Sequence, residues 1–265
     1  MQSSVASIPS FFIPTAPPTP PSASSSLPKT PLSHSFRALL SNLSFHLIFI
    51  PFSVYVGFFN AASSLINQIF GPYGYTETQS GIAGGLLILV GLITAAIISP
   101  ILDRTHAFLF TMRLLTPIIG LSFLVFTFTP QTRSLAAPFV VLAVLGASSF
   151  SLVPVALEYL VEITFPASPE VTSVVCWAGG QLLGGVFIVI MNALKDSGGN
   201  PAGDRPPGNM YRALVFEAVF ACAVVPLPLL LGRKFLGLQG ESRRRFVLDE
   251  AGTIGGRRDR PETRV

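Results

Sequence analysis

GIAGGLLILVGLITAAIISPILDRTH, Gly81 to His106, is the stretch whose reading decides the fold. From Gly81 to Leu102 it holds no charged side chain, and Asp103 and Arg104 follow at once. A helix needs about 20 consecutive apolar residues to cross the hydrocarbon of a bilayer, and this run supplies them. The whole chain has the same character. Of its 265 residues, 50% are hydrophobic and 11% are charged, whereas soluble domains carry about 25% charged residues. Too little polar surface is available to dissolve such a chain, so the composition predicts an all-α membrane protein.

Six segments have the length and apolarity of a span: roughly 44–66, 81–102, 108–129, 136–158, 171–193 and 212–232. Turn-rich pieces separate them, GPYGYTETQ at 71–79, TPQTR at 129–133 and KDSGGNPAGDRPPGN at 195–209. Pro51, Pro117, Pro154, Pro226 and Pro228 fall inside spans, where neighbouring helices can satisfy the freed carbonyls; they predict kinks. Small residues four apart (Gly81 and Gly85; Gly91, Ala95 and Ser99; Gly180 and Gly184) predict faces where helix backbones approach closely.

This divides the chain into a Pro/Ser-rich linker at 1–42, a six-helix transmembrane domain at 43–232 and a basic tail at 233–265, with both ends expected to be disordered. The first forty residues lack the apolar core of a signal peptide. Of the 17 Lys and Arg, only Arg133, Lys195, Arg205 and Arg212 fall on the face opposite the termini. The excess of positive charge on the cytosolic side of membrane proteins therefore predicts both termini in the cytosol. The sequon Asn42-Leu43-Ser44 then lies on the cytosolic edge and is expected to be unmodified; glycan on Asn42 would invert the topology.

Few groups carry chemistry. Cys176 and Cys222 lie in apolar runs, and His34, His46 and His106 have no metal-ligand spacing, so neither metal nor cofactor is expected. No Ser-His-Asp set, HExxH motif or phosphate-cradling glycine loop is present, which argues against an enzyme. The tail arginines lack interleaved aromatics, which argues against nucleic acid; Arg243 to Arg245 either touch anionic lipid headgroups or form an ordinary positive stop to the last span.

The informative charges sit at helix ends. Asp103 and Arg104 close the second span, Arg113 opens the third, and Glu158 and Glu162, four apart and hence on one face, end the fourth. Pairing across helices would lower the cost of keeping these carboxylates near lipid, and such a cluster would act as a cytosolic gate. The alternative is that each charge reaches water from its own helix end. Glu217 stands about 8–9 Å inside the last span. Its protonation could couple to transport, or it faces a polar neighbour near the outer interface. Asn60 and Gln181 lie near mid-span, where hydrogen bonding between helices and contact with a substrate are both open.

ALEYLVEITFPAS at 156–168, followed by Gln181, resembles the tenth and eleventh helices of transporters related to the feline leukaemia virus subgroup C receptor, in the major facilitator superfamily. PPTPPSAS at 17–24, FFNAASSLINQ at 58–68 and LDRTH at 102–106 are similar too, and the likeness runs from about Phe11 to Gly232. Ser99 stands where the superfamily's loop pattern usually has glycine, and the basic pair after Asp103-Arg104 is missing. The resemblance implies alternating access in a twelve-helix fold, with a cavity between two six-helix halves. This chain would be the C-terminal half. It also implies a small organic solute of the haem, choline or ethanolamine class, and it matches Gln181 to a substrate-pocket glutamine. Asn60 stands where choline-transporting members carry an aromatic residue, and Phe58 and Phe59 are expected to point elsewhere. Three expectations follow: a fragment of a transporter, a half-transporter pairing with an N-terminal half or a second copy, or an adaptor that moves nothing. The membrane is expected to be the plasma membrane or an internal one.

Overall fold

The computed structural model describes residues 32–165, 167–196 and 205–231. The chain before residue 32 and the basic tail assigned to 233–265 lie outside the described residues. Within the stretch read as linker, Leu32–Leu40 form a short helix, α1, packed against the later helix Pro169–Ala193. Ser35 and Leu39, one turn apart, are both buried and give α1 its packed face.

The spans are α2 (Leu43–Phe70), α3 (Glu77–Thr105), α4 (Phe108–Phe126), α5 (Ala136–Thr164), α6 (Pro169–Ala193) and a sixth in two pieces, α7 (Tyr211–Ala223) and α8 (Pro226–Leu230). Six segments are thus long and apolar enough to cross a bilayer, and the described residues contain no strand. The chain is an all-α, multi-pass integral membrane protein. α2, α3 and α5 run 28, 29 and 29 residues, or about 42–44 Å at 1.5 Å per residue. They outreach the ~30 Å hydrocarbon, which is why they extend past the windows read from hydropathy.

Local chemistry sets the ends. Asn42 caps α2 by accepting from the Phe45 N–H, and Gly74, at φ 90°, closes the short 3-10 turn Gly71–Tyr73 that follows the helix. TETQ then starts α3 with a reciprocal cap. The Thr76 hydroxyl accepts from the Gln79 N–H at 3.2 Å, and the Gln79 side chain accepts from the Thr76 N–H at 2.9 Å. Pro51, Pro117 and Pro154 sit inside continuous helices. Pro226 and Pro228 do more than kink: they divide the last span. Without the Pro226 and Pro228 N–H groups the ladder lapses into three-residue turns, Val225 to Cys222 and Leu227 to Val224, both 3.2 Å.

Glycine decides the tightest seams. A Cβ on Gly146 of α5 would lie 1.9 Å from the Leu87 carbonyl oxygen of α3, and one on Gly91 would lie 2.4 Å from the Phe150 ring. Gly180 and Gly184 admit Val56 and Asn60 of α2, and Gly120 of α4 admits Val225. Gly91, Gly180 and Gly184 are therefore contact glycines, as their spacing predicts. Gly81 and Gly85 are not, since a Cβ on either would meet nothing within 4 Å. Between α2, α4, α6 and α7 the core is aromatic. Phe58 stacks on Phe187 at 4.1 Å between centroids, and Phe123 and Phe216 close on Phe58 at 6.0 and 5.8 Å.

Candidate functional site

On α2 the residues Phe52, Tyr55, Val56, Phe59 and Asn60 follow the three-and-four spacing of one helical face. That face lines a cavity of 350 Å³, closed by Ser149, Phe150, Leu152 and Val153 of α5, Ile119 of α4 and Trp177 of α6. Its walls are aromatic. Phe52 meets Trp177 edge-on at 5.9 Å and 84°, and Phe59 meets Phe150 edge-on at 5.4 Å and 79°. Phe59 thus shares the cavity with Asn60, contrary to the expectation that it points elsewhere. Phe58, its neighbour in sequence, is in the core.

Polar atoms are few at this cavity. The Tyr55 hydroxyl is committed, donating to the Ala221 carbonyl of α7 at 3.1 Å. The Ser149 Oγ is buried with no hydrogen-bond partner among the described residues. Asn60 Nδ2 donates to Gln181 Oε1 at 3.1 Å, joining α2 to α6. Gly184 makes that approach possible, since a Cβ there would stand 3.2 Å from the Asn60 side chain. Gln181 lies one turn beyond Trp177 on α6, exposed and outside the cavity lining. No basic or acidic side chain lines the cavity. What it can offer is ring faces and an amide pair at its edge. That suits a compact organic cation and gives an anionic group no counter-charge.

Glu217, the third candidate for substrate binding, does not line this cavity. It is buried in the bundle at 0% exposure, and neither carboxylate oxygen has a hydrogen-bond partner among the described residues.

The gate candidates gather at the end of the bundle that carries Asn42. Asp103, His106 and Glu162 all lie near Glu158, so α3 and α5 bring three carboxylates and a histidine together. His106 takes the left-handed conformation, φ 49°, and closes α3 with its N–H bound to Leu102 O at 2.7 Å. Arg104 ends α3 in the same turn. Arg113, named from sequence as a partner of the glutamates, donates instead to the backbone carbonyl of Leu231 at the end of the sixth span. It lies near Tyr159, one residue from Glu158, and its Nε is buried without a hydrogen-bond partner among the described residues.

Sequence reasoning missed Phe52, Ser149, Phe150 and Trp177. The signal was present on α2, where an aromatic stripe runs into Asn60, and on α6, where the chain's one tryptophan stands a turn before Gln181.

No family model matches the chain. Curated relatives do. It is 32% identical over 197 residues to Solute carrier family 49 member A3 of Xenopus tropicalis, covering 71% of this chain and 40% of that protein. It is 30% identical over 201 residues to Choline/ethanolamine transporter flvcr2a of Danio rerio, 73% of this chain and 43% of that one. The human Choline/ethanolamine transporter FLVCR2 is 27% identical over 199 residues, 72% and 37% of the two chains. The chain therefore spans about two fifths of the length of the relatives it matches. These relatives are transporters by name and not enzymes.

Proposed function

As a homologue of solute carrier family 49 and the FLVCR transporters, this chain, we propose, supplies the C-terminal six-helix half of a major facilitator transporter and moves a small organic cation of the choline and ethanolamine class by alternating access. The observation that carries this reading is the aromatic cavity beside the Asn60–Gln181 pair. A quaternary ammonium is held by the negative faces of aromatic rings, at about 0.5–2 kcal/mol per ring, and needs no counter-charge. Phe52, Phe59, Phe150 and Trp177 supply those faces, so the missing aromatic at Asn60 is made good by its neighbours. Haem fits less well, because its propionates call for Arg or Lys and the lining has neither.

Solute sites of such transporters lie near the midplane between two halves, and this chain provides one wall. The second wall is an N-terminal six-helix half or a second copy. Exposed apolar residues on α3 and α6, such as Ile88, Leu92, Leu182 and Val189, offer it a surface. The acidic cluster of Asp103, Glu158 and Glu162 with His106 sits where a gate would close, on the cytosolic side if both termini are cytosolic. Arg104 and Arg113 stand at the same helix ends.

Uptake of labelled choline and ethanolamine is the test, in cells expressing the chain alone and with a six-helix N-terminal half. Uptake that falls about 2- to 30-fold in Trp177→Ala and Phe150→Ala at equal surface expression supports the site. Absence of uptake in both settings refutes transport, and a chain that reaches the membrane without it is an adaptor.

A further inference from the structure

Among the described residues Glu217 is the one fully buried carboxyl, and neither of its oxygens has a hydrogen-bond partner. Its place follows from two hydrogen bonds that bracket it on α7. Three residues before it, the Leu214 carbonyl accepts from the Thr127 hydroxyl just beyond α4 at 3.2 Å. Four residues after it, the Ala221 carbonyl accepts from the Tyr55 hydroxyl of α2 at 3.1 Å. Residues three and four apart share a helical face, so Glu217 lies on the face turned to α4 and α2. At that level those helices present Phe58 and Phe123, and the adjacent Phe216 meets Phe58 and Phe187 at 5.8 and 5.9 Å. The carboxyl is wholly buried, and neither oxygen finds a hydrogen bond among the described residues.

We propose that Glu217 is a proton-binding site, loaded as the neutral acid while α7 stays packed on α4 and emptied only when that seam opens to water. An ionised carboxylate without water, a donor or a counter-ion is the most costly state a buried group can take, and such groups neutralise instead. Among the described residues no counter-ion is placed to prevent it. On α2 the titratable groups are Tyr55, bound to Ala221, and His46, at the Asn42 end and 2.8 Å from the Leu40 carbonyl. On α4 the cation is Arg113, donated to Leu231. On α6 they are Cys176, buried, and Glu170, at that helix's first turn. On α7 itself they are Tyr211, whose ring lies 3.3 Å from the Arg205 guanidinium carbon, Arg212, at the outermost turn, and Cys222, close to the Gly120 carbonyl. A metal cation would need several oxygen ligands, and the described residues hold no group of three His, Cys, Asp or Glu that could share one. A proton is the cation that fits.

Opening of the α4–α7 seam during transport would release that proton. This consequence rests on the transport reading; the proton site itself does not.

Infrared spectra of the full purified chain in nanodiscs test it without any solute. At neutral pH the wild-type protein shows a protonated-carboxyl C=O band that is absent from Glu217→Gln and from Glu217→Met. Reversible unfolding in mixed micelles gives a second readout. The native state keeps a proton that the unfolded chain loses above the ordinary glutamate range, so stability falls as pH rises. The wild-type folding constant then drops about ten-fold per pH unit relative to Glu217→Gln. Identical spectra, or an ionised carboxylate assigned to Glu217 at neutral pH, overturn the proposal. So does an absence of the extra pH slope. If neither variant folds, a wild-type spectrum without the band overturns it alone.

Discussion

Gly146→Ala and Gly85→Ala make the same chemical change in two long apolar helices, and the structure gives them opposite signs. A Cβ on Gly146 would sit 1.9 Å from the Leu87 carbonyl oxygen, 2.8 Å from its carbonyl carbon and 3.1 Å from its Cα. All three are backbone atoms of a helix, so no rotamer change relieves the clash, and α3 must back away from α5 by more than 1 Å. Inserting a methyl into a packed seam costs about 1–3 kcal/mol and occasionally more; rigid backbone on the receiving side puts this case at the top of that range. Alanine's helix preference returns about 1 kcal/mol, leaving a net loss of about 2 kcal/mol. At about 2–4 °C per kcal/mol for a domain of this size, the melting temperature falls about 4–8 °C. At Gly85 a Cβ meets nothing within 4 Å, so the same preference acts unopposed and that variant melts no lower than the wild type. Thermal unfolding of both variants in one detergent is the assay. Separating α3 from α5 also moves Phe150, which touches Gly91 and walls the cavity, so Gly146→Ala binds choline more weakly at temperatures where it is still folded. A Gly146→Ala protein as stable as Gly85→Ala would refute the packing of α3 on α5.

Other substitutions test single contacts. Asn60→Leu removes the bond to Gln181; hydrogen bonds between membrane helices average about 0.6 kcal/mol, so stability drops by about that amount while choline uptake falls further, as measured by unfolding and transport on the same preparations. Glu162→Gln removes one charge from the cluster around Glu158. Cysteine labelling at the Asn42 end of the bundle then increases if the cluster is a gate, and unchanged labelling with unchanged uptake kinetics would remove that role.

The spans were legible because absence of charge over about 20 residues has one physical outlet, a bilayer. The break in the last span was half legible: Pro226 and Pro228 announced a kink, but whether the ladder bends or ends depends on neighbouring carbonyls that sequence does not locate. Glycine spacing found the contact faces at Gly91 and Gly180–Gly184 and misled at Gly81–Gly85, because spacing defines a face without saying what lies opposite. Asn60 and Gln181 are 121 positions apart, and only the register of α2 on α6 makes them a pair. Arg113 shows the reverse: its position at a helix end suggested the nearby glutamates, while packing hands it the carbonyl of Leu231.

Trp177 is the chain's one tryptophan and lines the cavity, so its emission reports on that space without any labelling. The full chain in nanodiscs, titrated with choline and with sodium at equal ionic strength, gives the most direct measurement. A saturable change in Trp177 emission with choline, weaker in Phe150→Ala and absent with sodium, is the predicted result. Emission that choline leaves untouched, in a protein whose Trp177 responds to a soluble quencher, would contradict a solute site in this cavity.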